Sequence, residues 1–242
     1  MTVERHLEDW LALCLTPGLG DAALRRLLVR FGEPAHIFAA GHAALAQHVP
    51  TEVAARIRDG GARERLAPVR AWLADPANGI VTLADHGYPQ RLLEIPDPPP
   101  LLYVKGRREL LNHPALAIVG SRSATPQGIA NAEAFGRALS DAGLTIVSGL
   151  ALGVDAAAHH GGLAGASSSI AVLGTGPDIV YPARNRGLAR ELAEHGCMIS
   201  EFPLGTPALG SNFPRRNRVI SGLARGCLVV EAASSSGSLI TA

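Results

Sequence analysis

Glycine, serine, arginine and asparagine gather in a few short runs of this 242-residue chain, each beside an apolar segment. Gly120-Ser121-Arg122 closes the run LAIVG. Gly149 to Asp155 (GLALGVD) follows TIVS, and Gly174-Thr175-Gly176 follows SIAVL. Arg184-Asn185 lies a little further on, and Arg215-Arg216-Asn217-Arg218 comes after Phe213-Pro214. Ser236-Gly237-Ser238 follows CLVVEA. Glycine lets a backbone approach a ligand closely, and a helix start offers unpaired amides to an anion. Arginine adds a forked donor matched to phosphate oxygens. Several such runs converging on one crevice would hold a phosphate-bearing ligand.

Each piece also has a plainer reading. Gly120 and Gly149 could simply make tight turns from strand to helix. Asp155 is placed to cap a helix beginning near Ala156. His159 and His160 are the kind of histidines that satisfy a neighbour or face solvent. Glu231 is a candidate partner for an arginine of the RRNR segment. The three arginines of that segment are harder to dismiss, because like charges packed together repel unless something anionic meets them.

Enzyme signatures are missing from the sequence: it has no G-x-x-x-x-G-K-[ST], no third glycine at the required spacing after Gly174-Thr175-Gly176, no GxSxG and no HExxH. A Ser/His/Asp set could be assembled from Ser148, His159 and Asp155, but no spacing demands it. The reading is therefore of a binding protein, not an enzyme, with no cofactor.

The elements that must position these residues are legible as a change of pattern along the chain. Residues 1–75 read as a small all-α domain: LEDWLALCL and DAALRRLLVRFG have helical spacing around a Pro17-Gly18-Leu19-Gly20 turn, with Asp21 placed to cap and Gly32 to stop. That turn suggests a helix-hairpin-helix-like unit, and the small domain is expected to be SAM- or helix-hairpin-helix-like. Residues 76–114 read as a bridging segment of two short strands and a proline-stiffened run, Pro96 to Pro100, where helix is excluded. From residue 115 to 242, five short, continuously apolar, β-rich runs alternate with helical stretches. Such strands are buried on both faces of a parallel sheet, and the repeat implies a doubly wound, Rossmann-like α/β sheet. In that architecture ligands bind beyond the carboxyl ends of the strands, where the Gly/Ser/Arg runs fall. Phe213 to Arg218 is expected in a long loop.

Composition sets the outer limits. Hydrophobic residues make up 47% and charged residues 18%, enough for a substantial core. No apolar run is long enough to span a membrane and the N-terminus lacks a signal-peptide core, so a soluble, cytoplasmic protein is expected. Cys14, Cys197 and Cys227 lack metal-ligand spacing and read as small hydrophobes. The net charge of +1 does not announce nucleic acid.

The ordered motifs from Leu116 onward resemble the DprA/Smf family of bacterial DNA-processing proteins. They comprise Val119-Gly120-Ser121-Arg122, Ile146 through His159, Ile170 to Asn185, Ser200 to Gly205, Phe213 to Leu223, and Val229 to Ala242. The stretch Tyr88 to Gly106 matches as well, and residues 1–75 are similar in the looser sense of a small helical domain. The resemblance implies an extended Rossmann-like domain that binds and protects single-stranded DNA without sequence specificity. It further implies loading of the RecA recombinase during natural transformation or recombination, and a homodimer in the full-length protein. It makes Arg122 the leading phosphate contact, with donors from Gly120 and Ser121. Arg184 and Asn185 fall on the rim, and Arg215, Arg216, Asn217, Arg218, Ser236, Gly237 and Ser238 complete the expected DNA-binding set. Asn217 and Arg218 are expected to be partly structural. Pro177 replaces the larger apolar residue usual in the family, and the family normally continues past SGSLITA, so the sequence reads as truncated. The alternative from another class is a Rossmann-like nucleotide sensor or nucleoside-monophosphate hydrolase, although no PGG-x-GT-x-x-E element is present.

Overall fold

The computed structural model describes residues 2–232; Ser236, Gly237 and Ser238 lie outside the described residues. The chain divides into two compact units, Met1–Pro76 with Pro99–Leu101, and Ala77–Pro98 with Leu102–Ala242.

The first unit is helical. It contains α1 (Thr2–Cys14), α2 (Asp21–Phe31), α3 (Pro34–Ala39), α4 (His42–Leu45), α5 (Thr51–Arg58) and α6 (Leu66–Leu73). Leu13, Leu24, Leu27, Ile37, Leu45 and Ile57 are fully buried in its core. The residue before α2 that caps it is Gly20, and no side chain bonds there. Asp21 is instead the first helical residue, where its charge favours the positive end of the helix dipole.

The second unit is built on a seven-stranded sheet. Its strands are β1 (Asn78–Thr82), β2 (Leu101–Gly106), β3 (Ala115–Gly120), β4 (Thr145–Ser148), β5 (Ser169–Val172), β6 (Cys197–Ser200) and β7 (Cys227–Val230), in the order β1-β2-β6-β5-β4-β3-β7. Strands β7, β3, β4, β5 and β6 pair in parallel, and β2 runs antiparallel to β6. The segment expected to bridge thus supplies two strands of the sheet itself. Strands β4, β5 and β6 are buried throughout, as their continuous apolar composition requires when both faces are covered.

That cover is divided between helices. On one side α7 (Pro126–Asp141), α8 (Val154–Ala164) and α9 (Arg186–His195) pack, with Ile118, Ile146, Ala171 and Met198 pointing to them. On the other side lies α10 (Asn212–Leu223), with Ala117, Val119, Val147, Ile170, Val172 and Ile199 facing it. Neighbouring strand residues therefore serve opposite layers. The Phe213-to-Arg218 segment, expected as a loop, is the first half of α10. Pro214 is its third residue, a position whose missing N–H would have found no partner in the helix anyway.

Candidate functional site

The chain passes from β3 to β4, β5 and β6 in one direction across the sheet, then returns through α10 to place β7 on the far side of β3. The loops at the carboxyl ends of β3, β4 and β5 and the start of α10 meet at this reversal. The carbonyl of Ser121 accepts from the Val154 amide (3.1 Å), joining the loop after β3 to the start of α8. Gly153, at φ 76°, makes the approach possible: a Cβ there would sit 2.8 Å from the Arg122 carbonyl. Asn212 Nδ2 donates to the Gly174 carbonyl (3.1 Å), tying α10 to the loop after β5.

Arg122 occupies the exposed mouth of these loops. Its guanidinium has no hydrogen-bond or carboxylate partner among the described residues. It lies 5.7 Å from the centroid of the half-buried Phe213 ring, and Phe213 in turn faces Tyr181 at 5.5 Å with 39° between the ring planes. Tyr181 is 49% exposed. An accessible cation and two aromatic rings thus stand in a row at the mouth, offering a charge for a phosphate and flat apolar faces for a base. Neither aromatic belongs to the set expected from sequence. The signal was present in their position: in a chain with 4% aromatic residues, each precedes a proline in a loop or helix start beyond a strand end.

Several other expected contacts turn out to hold the site together. The Ser121 amide already donates to the Glu231 carbonyl (2.9 Å), and its Oγ accepts from the Ser123 amide (3.2 Å), leaving its hydroxyl hydrogen to offer. Gly120 ends β3 in register with Val230 of β7, and its own contribution is to the sheet. Asn185 is buried and donates to the carbonyls of Leu150 (2.9 Å) and Ala151 (3.2 Å). Arg184 beside it is exposed and has no partner among the described residues.

Arg216, 4% exposed, is a cation of the interior. It donates to the carbonyls of Gly149 (2.8 Å) and Val172, and to Asn217 Oδ1 (3.2 Å). A Cβ on Gly149 would stand 2.5 Å from the guanidinium, so a larger residue there would displace Arg216 from its carbonyl partners. Burial lowers the Arg216 pKa to about 10, against the pull of nearby Asp155. Arg218 donates to Asp97 (2.7 Å) and Glu201 (2.6 Å), and Arg215 donates to the same Glu201 carboxylate at 3.1 Å while lying over Phe202. The anionic partner that the RRNR run demanded is therefore internal: Glu201 and Asp97 meet two of its arginines, and Asp155 lies near the third.

Asp155 does not cap α8; it sits inside it. Its Oδ2 accepts from the amides of Gly149 (3.1 Å) and Ala151 (3.3 Å). Burial holds this carboxyl above its ordinary value, an effect opposed by Arg216 and the hydrogen bonds it receives. His159 is fully buried, and its Nε2 accepts from the Leu150 amide (3.3 Å). Nδ1 then carries the hydrogen and donates to Ser169 Oγ (2.7 Å), which donates to the Ile146 carbonyl (2.8 Å). Burial pushes its pKa down to about 3, and with both nitrogens committed it is no free base for Ser148. Leu150 itself has φ 58°, a left-handed conformation held only because its surroundings over-determine it. Between them Asp155, His159, Asn185 and Arg216 bond every amide and carbonyl from Gly149 to Ala151. Glu231, expected to pair with the RRNR arginines, accepts instead from Thr125 N (2.8 Å) and Oγ1 (2.7 Å) at the start of α7. Among the described residues no cluster of His, Cys, Asp and Glu could hold a metal ion, and no helix is long and apolar enough to cross a membrane.

Residues 79–242 match the family described as DNA recombination-mediator protein A. Protein Smf of Synechocystis is 39% identical over 247 residues, covering 96% of this chain and 60% of that protein. The X-ray structure of DNA processing protein A from Streptococcus pneumoniae superposes with a TM-score of 0.81 at 32% identity, over 96% of this chain and 81% of that one. A structure describing the single-stranded DNA binding mode of DNA processing protein A from Helicobacter pylori gives a TM-score of 0.62 at 31% identity, over 67% and 74% of the two chains. The chain spans about half to three-fifths of the length of the curated relatives it matches.

Proposed function

Because the chain belongs to the DprA/Smf family of DNA recombination mediators, we propose that it binds single-stranded DNA without sequence preference beyond the carboxyl ends of β3, β4 and β5. The observation that carries this reading is the row Arg122, Phe213, Tyr181: a guanidinium unpaired among the described residues, over a half-buried ring that leads to an exposed one, set on loops that are themselves clamped. Arg122 takes a phosphate, the rings take a base face, and Arg184 and the Ser121 hydroxyl line the rim. Stacking on any base is sequence-tolerant because every base has a π-face. DNA processing protein A from Helicobacter pylori has a single-stranded DNA binding mode, which supports the same ligand class here.

The rest of the reading rests on membership of the family, not on the geometry of the site. The protein works by binding and protecting a strand, with no bond made or broken. We propose that it acts as a cytoplasmic homodimer that helps load the RecA recombinase, in natural transformation or recombination. Replacing Arg122 by alanine tests the core of it: fluorescence anisotropy on labelled oligo-dT should show a loss of about 1.5–3 kcal/mol, a fold-change of roughly 10 to 150. Unchanged affinity in a variant with native circular dichroism would move the binding site elsewhere.

A further inference from the structure

Helix α9 starts where Asn185 is fastened to the Leu150 and Ala151 carbonyls. Arg184 and Arg186 flank that anchor, and Arg190 stands one turn beyond Arg186. All three are exposed, and none has a carboxylate partner among the described residues. Four other arginines of this unit do have a carboxylate within reach: Arg107 meets Glu109, Arg137 meets Asp141, and Arg215 and Arg218 meet Glu201. Arg186 and Arg190 share one helical face, opposite the buried Leu188, Ala189 and Leu192. Residues so spaced have Cβ atoms about 5–6 Å apart.

The sign of these charges is also the wrong one for the helix. Cations stand in its first half and Glu191 and Glu194 in its second, the reverse of what the helix dipole favours. The dipole therefore does not explain them, whereas a polyanion lying across the first half would. Glu191 and Glu194 mark where such a contact ends.

We infer that Arg184, Arg186 and Arg190 form a track for the sugar-phosphate backbone of a single strand as it leaves the Arg122 mouth, so that long strands gain contacts short ones lack. The inference rests on the single-strand reading of the site. Its reach is limited to phosphates, since guanidinium groups on an exposed helix face carry no base information.

The test is the double variant Arg186→Ala, Arg190→Ala, whose side chains leave the core untouched. Anisotropy is read on oligo-dT of about four and about twenty nucleotides across a salt series. The longer strand should bind about ten- to thirtyfold more weakly at about 0.1 M salt, with its log–log salt slope reduced by about 1.4 for two lost phosphate contacts. The short strand should be unaffected. If the longer strand keeps its affinity and slope while Arg122→Ala still weakens both oligomers, the track is wrong and the mouth stands. An equal loss on both lengths also overturns the track, placing these arginines in the mouth itself. If neither variant changes binding to either oligomer, the single-strand reading of the site has failed.

Discussion

Arginine does three different jobs within this one unit, and burial separates them. Arg122 holds its guanidinium out in solvent, Arg218 is half-buried between two carboxylates, and Arg216 lies in the interior between carbonyls. A buried cation is tolerated only when its donors are satisfied, and the loop carbonyls at the ends of β4 and β5 do that for Arg216. His159 completes the clamp as a neutral ring. Because its pKa falls to about 3 on folding, the unfolded chain binds a proton that the folded one refuses once the pH drops below the ordinary value of about 6.5. Stability contributed by the neutral ring is thus full above that value and is lost as pH falls toward about 3. From about pH 7 to about pH 5 the loss should be about 2 kcal/mol in urea unfolding. His159→Gln should remove most of that slope, and the difference between the two proteins isolates His159 from Asp155, whose raised pKa acts with the opposite sign. A slope unchanged by the substitution would mean that the ring is not held neutral.

Helix α7 shows how an element is fixed from outside itself. Thr125 Oγ1 accepts from the Gly128 amide (3.1 Å) as its cap, while the same residue donates twice to Glu231 beyond the end of β7. Thr125→Val should cost about 1–2 kcal/mol in chemical denaturation and Thr125→Ser only a few tenths; equal stability of all three proteins would deny the cap. Elements of this kind were legible to different degrees. The parallel strands showed in sequence because burial on both faces leaves continuous apolar runs, and their polar ends pointed to the loops of the site. Helix α10 was hidden, because Pro214 and three arginines read as loop chemistry until Arg216 is seen to point inward under the sheet ends. The β1–β2 segment gave its two strands but not their place, since pairing of β2 with β6 joins Tyr103 to the distant Ser200. Glu231 and Asp155 were visible as carboxylates at element ends, but a sequence does not say which amide each will reach.

The described molecule consists of a helical unit and a sheet unit, and the site sits wholly in the second, inside the residues that match the recombination-mediator family. A formal net charge of +1 leaves no global field to draw nucleic acid, so the proposed binding rests on local arrangement: accessible arginines at the mouth, with Arg215, Arg216 and Arg218 met by groups of the protein itself. Such a surface should bind a strand through few phosphates and yet depend on salt in proportion to them. The most direct test is anisotropy of labelled oligo-dT across a salt series, with unlabelled duplex and mononucleotides as competitors. Saturable binding, with a slope of about −0.7 for each phosphate neutralised and resistance to mononucleotide competition, is the predicted result. Mononucleotide binding without affinity for the oligomer would contradict it and make the crevice a nucleotide pocket.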